Sequence, residues 1–318
     1  MSRLFFQTGR QIMLEDERVV PETASESDFS DEPKAGRLFW AALLAVYGLL
    51  VLYSFLRVPI PGVNEPHYLC KAKHFWNPDW CAGDMFLESS NPHLVFYVTF
   101  GWLTRFLSLD TVAVVGRVVG LLPLAIGWHL LSWRLTRSVC VSLLSLSLFL
   151  VMQSAGNWSG EWLVGGIESK VIAYGFLFWS IAQALNLKLS SSSFLAGLSI
   201  SFHPVVGVWG TLAATNATIG MFFITDKSEA RIAIPSPRTL GLAILLFFIT
   251  SAPGLISAGQ AVLSESDPDA SRIASLLQVG VRLGHHLDPM KFPKEAYRYF
   301  GILIFVWLIL SSSNAQQT

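Results

Sequence analysis

The chain predicts an all-α, polytopic helical membrane protein, with about eight transmembrane helices and an amphipathic helix in the first outer loop. Three observations carry that expectation. Hydrophobic residues fill 52% of the 318 positions and charged residues only 14%, whereas a soluble domain carries about 25% charged residues. Mean hydropathy is +0.50. The apolar mass falls in repeated runs of 15 to 25 residues, each about long enough to cross roughly 30 Å of hydrocarbon as a helix.

Residues 1–37 come first, and they read as a disordered cytoplasmic tail. Glu15, Asp16, Glu17, Glu26, Asp28, Asp31 and Glu32 alternate there with basic residues and few large apolar ones, a composition that cannot bury enough surface to order itself. No apolar run follows the first arginine closely, so the first helix is expected to stay as an anchor and not to be cleaved as a signal. The helical membrane domain then occupies 38–318. Its expected spans are 38–57, 112–133, 138–153, 170–187, 193–208, 209–224, 239–258 and 299–313. Segment 93–107, HLVFYVTFGWLTRFL, is apolar but short and aromatic, and it reads as a helix lying in the interface.

With the amino terminus inside, this arrangement puts Arg134, Arg137, Lys188, Lys227, Arg231 and Arg238 in short cytoplasmic loops, as the positive-inside rule asks. Eleven basic residues fall inside and ten outside, so the bias rests on long loops counting for less. Loops 58–92, 154–169 and 259–298 then share the outer face, and they hold nearly all the unusual polar residues. The 22 basic and 22 acidic residues form no long block of one sign. A nucleic-acid partner is therefore excluded as the expectation.

The first outer segment reads PGVNEPHYLCKAKHFWNPDWCAGDMFLESSNPHLVFY. Glu65 and Asp84 are its candidate acids. A carboxylate beside His67 and Tyr68 at a membrane surface can act as a general base; the bland alternative is a solvated loop anchored by Trp76 and Trp80. Cys70 and Cys81 share the segment and read equally well as a disulfide or as two free thiols.

The second, NWSGEWLVGGIESK, begins with an N-x-S sequon at Asn157 and brings Glu168 and Lys170 to the mouth of the next span. Gly165 and Gly166 permit a tight turn or a close backbone approach. Two positions apart, Glu168 and Lys170 would not share a helix face, and each is expected to need a different partner.

The third carries Arg272, Arg282, Lys291, Lys294 and Arg298 around His285, His286 and Asp288. Cations on an outer face can neutralise a phosphate, or a loop of this length simply escapes the insertion bias. Adjacent histidines without a third ligand make a poor zinc site. Within the spans, Arg117 must find a partner, because an unpaired arginine at the bilayer centre costs about 2.5 to 3.5 kcal/mol. His203 precedes Pro204 and reads as the cap of a broken helix.

The order of NEPHY after the first span, then DW and Asp84, then NPHLVFY resembles the first outer loop of polytopic, lipid-sugar-dependent glycosyltransferases of the GT-C type. GGIESKVIAY, SFHPVVG and HHLDP resemble elements of bacterial membrane proteins of the same architecture, so the resemblance runs over about 60–290. It implies a multi-pass protein of the inner (cytoplasmic) membrane that moves a sugar from a polyprenyl-phosphate carrier to an acceptor at the outer face. Glu65 would be the base and Asp84 would orient the acceptor or a metal. Lys170, Arg282, His285 and His286, with His67, Glu168 and Asp288 lining the substrate, would hold the departing phosphate. Asn64 departs from the aspartate that many relatives carry there. A catalytically inactive scaffold and a small-solute transporter are the competing expectations, and the sequence names no cofactor.

Overall fold

A computed structural model describes residues 36–62, 64–155, 162–224, 235–263 and 267–315. The acidic tail, the Asn157 sequon, Lys227 and Arg231 lie outside them. The described residues are helical, with no strand among them. They fall into two compact units, one formed by 37–154 and 162–274, the other by Ala155 and 275–315.

The larger unit is built on α1 (Arg37–Arg57), α4 (Leu109–Thr136), α5 (Val139–Ala155), α6 (Ser169–Leu185), α7 (Leu189–Phe202), α8 (Pro204–Ile224) and α9 (Pro237–Leu263). Between α1 and α4 come α2 (Glu65–Trp76), α3 (Leu94–Val98) and a 3-10 turn, Phe100–Arg105. Among the described residues, three helices are long and apolar enough to cross a membrane: α1, α4 and α9. Helices α5 and α7 are apolar but shorter. Much of the apolar surface of α1 and α9 stays uncovered, as at Leu44 and Phe248, which fits a hydrocarbon surrounding better than water.

Helix α4 packs on α1 and α6, α6 on α7, and α7 on α9. Small residues let these backbones meet. A Cβ on Gly175 would lie 2.5 Å from backbone atoms of Pro123 and Leu124, so α4 and α6 are joined by close backbone approach. Val46, Leu50, Leu124, Leu146 and Leu150 fill one buried cluster. A second, of Leu69, Phe96, Tyr97, Val112, Ile167 and Phe202, seals the segments between α1 and α4 onto the bundle.

Segment 93–107 forms only a five-residue helix and a six-residue 3-10 turn. At about 1.5 to 2.0 Å per residue neither reaches across a bilayer. The expected break at 208/209 lies instead at His203–Pro204. The cause is local: the pyrrolidine ring keeps the preceding residue out of the helical region, and His203 is extended at φ −143° and ψ 95°.

Loop 259–298 also contains helix that hydrophobic runs did not reveal. Helix α10 (Pro268–Leu277) buries no residue. In the smaller unit, α11 (Gly284–Leu287) precedes α12 (Lys294–Ala315), and the Tyr297 hydroxyl donates to the Pro289 carbonyl at 2.7 Å.

Candidate functional site

Arg117 finds its partner in Glu65. Both side chains are fully buried, and the guanidinium grips the carboxylate twice, Nε to Oε1 and Nη2 to Oε2, each at 2.7 Å. The remaining N–H groups donate to the carbonyls of Ser54, Val58 and Pro59 at 3.3, 2.8 and 2.6 Å. All five guanidinium donors are thus used. Those carbonyls lie at and just beyond the end of α1, where a helix leaves its acceptors unsatisfied, so Arg117 closes α1 from the side.

Glu65 is equally saturated. Oε1 also accepts the Ile167 N–H at 2.8 Å and Oε2 the Gly62 N–H at 2.5 Å. Burial raises its pKa, but Arg117 and the two backbone donors outweigh that and hold the carboxyl below its ordinary value. A carboxylate with four donors and a lowered pKa is a weak proton acceptor. Gly166 supplies the close approach expected of it, since a Cβ there would stand 2.5 Å from the Glu65 side chain.

Asp84 and His67 lie apart from this clamp, Asp84 on an exposed loop and His67 on the exposed side of α2. Asp84 Oδ1 accepts the N–H groups of Phe86 and Leu87 at 3.0 and 2.9 Å, and the His67 ring meets Phe86 edge-on. The loop is fixed by Lys71, a residue that sequence reasoning passed over. Its buried ammonium donates to the carbonyls of Phe86, Leu87 and Ser89 and to the Ser89 hydroxyl, at 2.7 to 3.2 Å. Desolvation lowers the Lys71 pKa, with Asp84 opposing. Cys70 and Cys81 are free thiols.

The segment that satisfies Glu65 continues into a polar cluster at the start of α6. Glu168 is extended, at φ −142° and ψ 157°, so it stands outside the helix and turns back on Lys170 at 3.2 Å. The expectation of separate partners fails here because only one of the two residues is helical. Lys170 is buried, 4.6 Å above the Trp162 ring. Between them the Ser169 hydroxyl meets His93 Nδ1 at 3.2 Å and the Tyr68 hydroxyl at 3.4 Å.

His93 lies 4.8 Å from His203, ring centre to ring centre. His203 Nδ1 in turn accepts the Val206 N–H at 3.3 Å, the capping role expected of it. Burial pushes His93 down to about 4, a bond to the Phe202 backbone notwithstanding, so its ring is neutral near pH 7. His93 went unnoticed in the sequence because it sits in an aromatic run. A polar side chain inside NPHLVFY with no neighbour to satisfy it was the available signal.

Of the third set of expected residues, all but Arg272 belong to the smaller unit. Arg282 and His285 are exposed there, and the rings of His285 and His286 lie 4.0 Å apart. Asp288 Oδ1 accepts the Met290 N–H at 3.0 Å, with Lys291 at 3.9 Å from its other oxygen. Among the described residues no group of three or more His, Cys, Asp or Glu could hold a metal ion.

These features define a helical protein with three apolar helices of membrane-crossing length and a polar centre that joins Glu65, Arg117 and the start of α6. No family model, curated protein or solved structure matches the chain.

Proposed function

We propose that the protein is a multi-pass membrane glycosyltransferase of the GT-C type, taking sugar from a polyprenyl-phosphate carrier. Its eight passes are α1, α4 to α9 and α12, and its home is the inner (cytoplasmic) membrane. The supporting observation is the cluster at the start of α6, where Lys170, Tyr68 and two histidines gather. The amino-terminal turns of α6 and α8 both belong to it. Helix amino termini carry partial positive charge and unpaired N–H groups, and a lysine beside them favours a phosphate diester.

In the transfer, the acceptor hydroxyl oxygen bonds to the anomeric carbon while the bond from that carbon to the phosphate oxygen breaks. The lipid phosphate departs with the electron pair, and Lys170 meets the growing charge. The hydroxyl proton passes to the Glu168 carboxylate. Glu65 then serves as a positioning residue: it orders 165–168 through the Ile167 N–H.

The test is sugar transfer by the detergent-solubilised chain from a panel of polyprenyl-phosphate sugars. Lys170→Met is expected to lower kcat about 100-fold or more, as loss of a group stabilising developing charge does. Glu168→Gln should remove the acidic limb of the pH–rate profile. Activity unchanged in both variants would sink this assignment. A silent scaffold is favoured by one specific observation, the saturation of Glu65 by four donors; it expects no transfer and no donor binding in any variant.

A further inference from the structure

A second polar hollow lies away from the start of α6. It has a volume of about 360 Å³ and lies between the end of α2 and the end of the 3-10 turn. Lys73, Asn77 and Arg105 line it together with Trp76, Phe106 and Leu107. The hydroxyl of Thr104, also on its wall, is spent on the Gly101 carbonyl at 2.6 Å. No carboxylate lines the hollow. Among the described residues neither Lys73 nor Arg105 forms an ion pair. Both cations are instead held over rings, Lys73 at 4.8 Å from Trp80 and Arg105 at 5.2 Å from Trp76.

Two oriented cations facing a hollow without a counter-charge call for an anion. The neighbouring surface says which kind. Trp102 and Phe106 pack edge-on with centroids 5.0 Å apart, and they are 45% and 64% exposed. Leu107 is exposed beside them. Two residues further on begins α4, a helix long and apolar enough to cross a membrane. A site just before such a helix stands at headgroup depth, where exposed tryptophan marks the interface and basic residues attract anionic lipid.

We propose that Lys73 and Arg105 form a binding site for the phosphate of an anionic phospholipid, with Trp102, Phe106 and Leu107 lying against its acyl chains. The site depends on membrane embedding and not on sugar transfer.

The experiment uses the full chain in detergent, with native mass spectrometry counting retained phosphatidylglycerol against phosphatidylcholine. The wild type is expected to prefer phosphatidylglycerol. Lys73→Gln/Arg105→Gln should weaken that binding by about 30-fold, the combined effect of two cations at a membrane surface. Arg238→Gln, an exposed cation at the start of α9, should leave it intact. Arg105→Glu, at an exposed position, is a companion that keeps the test open should the double variant fold poorly, and, changing the charge by the same two units, it should also weaken binding about 30-fold. Equal retention of both lipids by the wild type overturns the site, as does an undiminished preference in both variants. Displacement of the lipid by inorganic phosphate would show a free-phosphate site and overturn lipid docking.

Discussion

Glu65 and Arg117 show how a charge is kept inside an apolar body. Removing one partner of a buried, hydrogen-bonded pair leaves the other uncompensated and costs about 3 to 5 kcal/mol, while replacing both by apolar groups of similar size is often near neutral. Arg117→Leu and Glu65→Leu are therefore each expected to lower the thermal midpoint far more than the double variant, measured by unfolding in detergent. The pH dependence has a definite sign. Because the Glu65 pKa is lower in the folded state, its stabilisation is complete above the ordinary carboxylate range and is lost as pH falls through the folded value. Acid should thus narrow the gap between wild type and Glu65→Leu; a gap constant down to strongly acidic pH would refute the ion pair. The need for a partner at Arg117 was legible in the sequence. The partner was not, because it stands 52 positions away, and nothing local marks an acid in NEPHY as buried. Lys71 was hidden for the same reason: a lysine in a polar loop reads as solvated until the carbonyls around it are known.

At the scale of elements, the long apolar runs were readable and the joints between them were not. Run length locates α1, α4 and α9, because each is apolar over several turns. The α7–α8 joint is set by one residue, Pro204, and the short α2 carries too little apolar patterning to announce itself. Contacts between helices depend on where glycines fall, which hydropathy does not record. A Cβ on Gly197 of α7 would meet the Phe247 carbonyl at 2.8 Å and the Ser251 nitrogen at 3.0 Å, both backbone atoms of α9 that cannot yield alone. Gly48 of α1 has nothing within 4 Å. Gly197→Ala is thus expected to destabilise by about 1 to 3 kcal/mol through overpacking. Gly48→Ala should instead be neutral or stabilise by up to about 1 kcal/mol through helix propensity. Thermal unfolding of the two variants side by side decides it; equal effects would contradict the α7–α9 interface.

For the whole molecule, the arrangement in the membrane turns on 93–107, which is the place where one more crossing would invert everything after it. Its two short elements cannot span, so in the proposed arrangement α4 alone passes between Cys81 and Cys140. Both cysteines are free and exposed, and they give a direct readout. A membrane-impermeant maleimide added to intact cells should label Cys81 and leave Cys140 unlabelled until the membrane is opened. Met290 is 92% exposed, and Met290→Cys reports on the remaining crossings. With α4 to α9 all passing through, the count between 81 and 290 is even, and this cysteine should react from the same side as Cys81. Labelling of Cys81 and Cys140 from one side would mean that 93–107 crosses after all. Labelling of Met290→Cys from the side opposite to Cys81 would mean that one of the shorter helices does not cross. In that case the gathering of loops 58–92 and 259–298 on one face, on which the expected partnership of Lys170 with Arg282 depends, would be lost.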